Sequence, residues 1–213
     1  DGDRAVRSAA VQALGAMRYM RGIQALSDLF QYLGKGDLAE AALDAVARIA
    51  HPSSAVLLTS QLTSKTAAIR GIAIEGLARM GDPAVLGSID GVIRGERNDG
   101  VRLAGGFASA MLSDAPIDPI AEALGRPKQR DQARRYLVEL APRRAPAFAQ
   151  RLQDPDPRVR ADLVEVVGLA RDPAALPVIE PMAKDADAQV ARAAERAVAR
   201  LKGAVPLFQD GKN

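Results

Sequence analysis

The chain has 213 residues, enough for one ordinary domain or a short stack of repeats, and its 48% hydrophobic share excludes a wholly disordered polymer. Aromatic residues are only 3% with no Trp, so Ala, Leu and Val fill the apolar share and an all-helical fold is expected. The absence of cysteine excludes disulfides, thiolate chemistry and Cys-ligated zinc, and the net charge of +3 leaves any charged surface to be found locally.

In chain order, a phrase recurs. An apolar residue opens a helical pattern at Val6, Leu38, Ile69, Val101, Ala133, Val159 and Val190, with successive spacings of 32, 31, 32, 32, 26 and 31 residues. Four residues after each opener stands a small or apolar residue (Ala10, Ala42, Ala73, Gly105, Leu137, Leu163, Ala194), and further ones follow at seven and eight. That set lies on one helix face. Between these helices run shorter amphipathic stretches: "RGIQALSDLFQYL", "PAVLGSIDGVI", "PIDPIAEAL" and "PAALPVIEPMAK". Several carry Pro in the first turn, where its missing N–H costs nothing, after an Asp suited to an N-cap. Each unit reads as a helical hairpin of about 31 residues that buries its apolar stripe only by stacking on its neighbours. The chain opens directly on an inner-type helix, "DRAVRSAAVQAL", with no first-helix partner before it; a lost half-repeat or a parent chain continuing N-terminally both fit. After Gly203, the segment "AVPLFQDGKN" reads as a tail whose Val205, Leu207 and Phe208 fold back on the last repeat or insert in a partner.

The unit "PAALPVIEPMAKDADAQVARAAERAVARL" resembles a HEAT repeat, with a Pro-bearing first helix, an Asp-containing turn, then Val-Arg and spaced alanines. The small-residue rhythm of "AVRSAAVQALG" is most similar to the short bacterial HEAT-like repeats of phycobilisome lyases. The resemblance covers roughly residues 3 to 202. It implies a right-handed α-solenoid of about six to seven helical hairpins over residues 1–203, with the second helices lining a concave side and a tail at 204–213. It also implies an Asp-to-Arg ladder along the stack. The Arg after the opener is present at Arg7, Arg70, Arg102, Arg134 and Arg160 but replaced by Ala39 and Ala191, so the ladder is expected to break there.

No motif for catalysis emerges. His51, the one histidine, stands beside Pro52 at a helix junction, and no Ser-His-Asp or Cys-His arrangement can be assembled around it. The pairs Asp154/Asp156 and Asp185/Asp187 sit in turns that begin helices, where capping explains them better than a calcium loop. The "GKGD" at 34–37 lacks the Lys-Ser/Thr of a phosphate loop and reads as a C-cap and turn. No metal, cofactor or catalytic residue is assigned, and the chain is expected not to be an enzyme.

Two charged features remain. Six residues after the openers stand Gln12, Asp44, Glu75, Phe107, Glu139, Glu165 and Arg196, a mostly acidic row along the inner helices. Asp44/Arg48 and Glu75/Arg79 are also i, i+4 pairs, so helix solubility accounts for part of it. The second feature surrounds the one short spacing. From Arg126 to Arg160 there are ten Lys or Arg against four acidic residues, including Arg126, Lys128, Arg130, Arg134, Arg135, Arg143 and Arg144. This band suits an acidic partner, a phosphate-bearing ligand or an anionic surface, since the guanidinium fork matches carboxylate and phosphate; a solvated face around a degenerate repeat is the plainer account.

The expected function is a non-catalytic protein-interaction scaffold or adaptor, offering its concave face and the basic band to another protein with an acidic surface. Nucleic-acid or other anionic-ligand binding by the band is an alternative, weakened by seven Phe and Tyr in all. A bilin-lyase-type enzyme subunit is a second alternative, implied by the resemblance alone. No apolar run is long enough to cross a bilayer, and the sequence leaves the compartment open.

Overall fold

The computed structural model describes residues 2–203; the fold-back expected of Val205, Leu207 and Phe208 lies outside them. The described residues are all-α, and the chain divides into two compact units, one ending at Ala115 and one beginning at Pro116. In the first unit the helices are α1 (Gly2–Ala16), α2 (Ile23–Leu33), α3 (Asp37–Ile49), α4 (Ala55–Gln61), α5 (Ala67–Met80), α6 (Leu86–Ile93) and α7 (Asp99–Leu112). In the second they are α8 (Asp118–Ala123), α9 (Arg130–Leu140), α10 (Ala145–Arg151), α11 (Pro157–Ala170), α12 (Leu176–Ile179) and α13 (Ala188–Lys202).

The seven openers fall on the alternate helices α1, α3, α5, α7, α9, α11 and α13. Within the first unit each of these packs on the next, and α2, α4 and α6 pack on α3, α5 and α7. The second unit repeats the scheme: α9, α11 and α13 form the inner layer, and α8, α10 and α12 the outer. Among the described residues this makes six hairpins and one inner helix, α1, with no outer helix before it. Accordingly Val6 is 67% exposed, whereas its counterparts Ile69, Val101, Ala133 and Val190 are buried. The core of each unit is the seam between layers, filled by Leu43, Ile74, Leu77 and Phe107 in the first and by Tyr136, Leu137, Leu163 and Val166 in the second.

Local chemistry explains how each hairpin turns. Three inner helices end on a left-handed residue, Ala50, Gly81 or Arg171, which stops the helix and frees the chain to reverse. The next residue caps the following 3-10 turn, and a proline occupies its first position. Asp82 accepts from the Ala84 N–H at 2.9 Å and Asp172 from the Ala174 N–H at 3.0 Å. At the third such turn His51 takes the same place, its Nδ1 accepting from the Ser53 N–H at 3.2 Å, so the histidine is a helix-end cap. Gly34 and Gly36, both at positive φ, turn the chain in "GKGD".

Inner helices begin on a second device. Asn98, Asp156 and Asp187 cap α7, α11 and α13, Asp156 accepting from the Arg158 N–H at 2.9 Å. Two residues earlier, Glu96, Asp154 and Asp185 each accept a backbone N–H of the turn, at 2.8, 2.9 and 2.9 Å. The paired aspartates are therefore turn-forming and capping groups. The 26-residue spacing also has a local cause: α9 has 11 residues where the neighbouring inner helices α7 and α11 have 14, and the chain turns through Ala141–Arg144 straight into α10 without a 3-10 turn.

Candidate partner-binding surface

The Arg following the opener builds a ladder at two places. In the first unit Arg70 donates from Nη1 to the Ser64 carbonyl at 2.8 Å and from Nε to Glu96 at 2.8 Å. In the second, Arg160 donates from Nη1 to the Asp154 carbonyl at 2.7 Å, and its Nε and Nη2 grip both oxygens of Asp185 at 2.9 and 2.8 Å. Each rung ties one turn to the acidic turn of the next hairpin. The turn before α9 carries Lys128 in the register held elsewhere by Glu96, Asp154 and Asp185, and Asp154 is paired instead with Arg151 at 2.9 Å. The hydrogen bond from Arg160 holds the Asp185 carboxyl below its ordinary range, and that same bond raises the Arg160 pKa. Glu96 is lowered chiefly by the Asn98 N–H, and Arg70 lowers it further.

The expected basic band thus separates into different environments. Arg151, Arg158 and Arg160 are paired to acids in the turns. Arg126 donates to Gln129 at 3.2 Å. Lys128 and Arg135 are exposed; Arg143, exposed, and Arg144, half-buried, lie beyond the opposite end of α9 from Arg130. The acidic row separates likewise. Asp44 accepts from Arg48 at 2.7 Å and Glu75 from Arg79 at 3.1 Å, both one turn along the same helix, while Glu139 is half-buried on α9. Arg79 also lies over the Phe107 ring at 5.5 Å, which brings Phe107 into the same cluster.

One part of both features converges, on the inner face of the second unit. Arg130 and Arg134 stand one turn apart on α9, and Arg192 and Arg196 one turn apart on α13. Between them α11 presents Asp162 and Glu165. Arg130 Nη2 lies 2.8 Å from each oxygen of Asp162. Glu165 is held from both sides, by Arg134 and by Arg196, the latter at 3.0 Å. The result is a basic, an acidic and a second basic strip on three adjacent helices.

The electrostatics follow from the contacts. The hydrogen bond and charge of Asp162 raise the Arg130 pKa. Burial acts to raise that of Glu165, but the hydrogen bond from Arg196 and the charge of Arg134 outweigh it and leave the carboxyl below its ordinary range. The carboxylates are sunk and the guanidiniums are not: the Asp162 side chain is 11% exposed against 52% for Arg130, and Glu165 24% against 52% for Arg196. Arg130 uses one nitrogen for its pair while its side chain is half exposed, which leaves its other N–H groups without a hydrogen bond to any described residue. Arg192 is exposed with no side-chain partner among the described residues. Two hollows that share Arg130 and Asp162 open here, of about 390 Å³ beside Leu124, Pro127 and Val159 and of about 330 Å³ beside Gln189, Arg192 and Arg196.

In the sequence Arg130 and Arg134 belong to the basic band and Glu165 and Arg196 to the mostly acidic row, while Asp162 and Arg192 stand out in neither. The signal that unites them is a pair of arginines at i, i+4 on two inner helices, with two acids at i, i+3 on the helix between. Among the described residues no group of three or more His, Cys, Asp or Glu is arranged to hold a metal ion, and no helix is long and apolar enough to cross a membrane.

The alternation of inner helices, Asp-Pro turns and Arg–acid rungs meets its family here: residues 145–209 match the model of HEAT repeats, and residues 6–32 that of the PBS lyase HEAT-like repeat. The chain carries HEAT repeats. The stretch at residues 6–32 is phycobilisome-lyase-like, and within each unit the helical hairpins stack side by side as in an α-solenoid. No curated protein matches it in sequence. Solved structures similar to it include human deoxyhypusine hydroxylase in complex with glycerol, at 18% identity and a TM-score of 0.40, covering 93% of this chain and 80% of that one. The YibA protein of E. coli is similar at 18% identity and a TM-score of 0.42, over 88% of this chain and 85% of that one. An engineered protein is similar at 16% identity and a TM-score of 0.36, over 92% and 90%. HEAT repeats are as a class protein-interaction modules, because stacked hairpins expose an extended face that no neighbour in the stack covers.

Proposed function

We propose that this chain is a non-catalytic scaffold that docks a partner protein on the inner face of its second unit, across α9, α11 and α13. The observation that carries this reading is the exposure of Arg130, Arg192 and Arg196, beside a half-buried Arg134, around two sunken carboxylates. A face whose charges served only the fold would pair them one to one. Here Arg130, Arg134 and Arg196 are paired with Asp162 and Glu165, and Arg192 has no side-chain partner among the described residues. Arginine is suited to such a role, since its planar fork donates to a ligand with one edge while the other stays anchored.

The scaffold reading is further supported by the use of His51, whose Nδ1 lies 2.9 Å from the Ser53 hydroxyl, as a turn cap with no acid paired to it among the described residues. That cap accepts from the Ser53 N–H at 3.2 Å, and the hollows are lined by arginines, Asp156, Asp162, Glu165, Gln189 and aliphatic groups. Affinity capture from the native source tests the reading: the wild-type chain is compared with a variant carrying Arg192→Glu and Arg196→Glu, with circular dichroism confirming that both are folded. Capture of a protein that is lost with the charge reversal is the expected result. Retention of the same protein by the folded variant would move the docking site elsewhere.

A further inference from the structure

Resting on that docking face, we propose that its ligand is a short acidic segment of the partner, whose carboxylates are taken by Arg192 together with the free edge of Arg196, and by the free edge of Arg130. Arg192 and Arg196 stand one turn apart, about 6 Å along α13, so their like charges are left facing one another. Glu165 relieves only Arg196, on one nitrogen. A carboxylate lying between the two guanidiniums completes the unfilled half of this arrangement, in the same manner as Arg134 and Arg196 already share Glu165. Arg130 repeats the pattern across the groove, anchored by a single nitrogen to Asp162. The two hollows, about 390 and 330 Å³, lie in the range of ligand pockets, roughly 300–1,000 Å³, and share Arg130 and Asp162.

The floor of the groove decides the class of ligand. A nucleic-acid strand brings a phosphate about every 3.4 Å and would set several against the carboxyls of Asp162 and Glu165, the latter held below its ordinary range by Arg196 and Arg134. The hollows hold no aromatic ring on which bases could stack. A peptide places its carboxylates singly, with neutral backbone and side chains between them, so it meets the arginines and passes Leu124, Pro127, Val159 and Ala193 without added repulsion.

The test uses the full chain and fluorescein-labelled hexaglutamate, read by fluorescence anisotropy at low ionic strength, with hexaglutamine and an oligothymidylate as comparison probes. Arg192→Gln is the decisive variant, because its side chain has no partner among the described residues and its loss leaves the fold intact. Lys65→Gln, an exposed lysine in the first unit, is the control. Expected are binding of hexaglutamate that weakens with salt, no binding of hexaglutamine, about a tenfold loss in Arg192→Gln and no change in Lys65→Gln. Absence of hexaglutamate binding, equal affinity in Arg192→Gln, or tighter arginine-dependent binding of the oligothymidylate would each overturn the inference. If the captured partner still depends on Arg192 and Arg196 while hexaglutamate does not bind, the docking face stands and the acidic ligand falls.

Discussion

Replacing Gly76 by alanine tests the way the inner helices approach one another. A Cβ at Gly76 in α5 would lie 2.7 Å from Leu58 Cδ1 and 2.9 Å from both Cα and Cβ of Ala47 in α3. The Leu58 side chain can swing away but the Ala47 Cα is backbone, so relief requires α3 and α5 to move apart. Alanine gains about 1 kcal/mol of helix propensity over glycine, while overpacking a filled seam costs about 1–3 kcal/mol. The net expectation is a loss of up to about 2 kcal/mol. Gly71, five residues earlier on the same helix, has nothing within 4 Å of its Cβ position. There the propensity gain stands alone, so Gly71→Ala is expected to stabilise by about 0.5–1 kcal/mol. The two variants should therefore differ by about 1–3 kcal/mol, with opposite shifts of the urea midpoint from wild type and unchanged m-values. Equal stabilisation by both would show that α3 and α5 do not approach as closely as described.

Further predictions concern the core, the rungs and the turns. Leu77→Asp and Val166→Asp each place an unpaired charge at a site no more than 1% exposed, and each should cost about 3–5 kcal/mol; a thermal melt unchanged by Leu77→Asp would contradict the core register. Arg160→Ala removes a two-nitrogen grip on Asp185 and should destabilise by roughly 1.5–3 kcal/mol at neutral pH, with Arg160→Lys restoring only part of it. Because Glu96, Glu165 and Asp185 have folded pKa values below their ordinary ones, their contribution is complete above the unfolded values near 4 and is lost as the pH falls through the folded ones. Melts should therefore drop steeply below about pH 4, and the gap between wild type and Arg160→Ala should narrow there. Ala50 holds φ at +54°, so Ala50→Gly should raise stability by up to about 1 kcal/mol, measured by the urea midpoint.

Much of the fold is legible in the sequence because its signal is local and repeated. An opener followed by small residues at four, seven and eight marks a helix face wherever it occurs, and all seven openers fall on inner helices. Asp-Pro announces a capped turn by chemistry confined to three residues, as at Asp82 and Asp172. Val6 shows the limit: its pattern is that of a buried opener, but burial depends on a neighbouring helix, and none among the described residues covers it. The site was legible only in fragments for the same reason. The excess of positive charge over residues 126–160 counts only near neighbours in sequence, whereas the acids that meet Arg130, Arg134 and Arg160 come from 32, 31 and 25 residues further on. Stacking converts a repeat period into a distance of contact, so pairs one period apart carry the electrostatics of the face. Asp162 and Arg192 stand three and two residues after their openers, outside the recurring apolar and acidic positions, and become visible only when α9, α11 and α13 are laid side by side.

The most direct test of the scaffold reading is to place a photo-crosslinking amino acid at Gln189, on the rim of the α9–α11–α13 groove, and in a second protein at Lys65 in the first unit, then irradiate each in extract from the native source. Mass spectrometry is expected to find a protein adduct at position 189 that disappears when Arg192→Glu and Arg196→Glu are added, and none at position 65. An adduct at position 65 alone, or one at 189 that survives the charge reversal, would contradict the account.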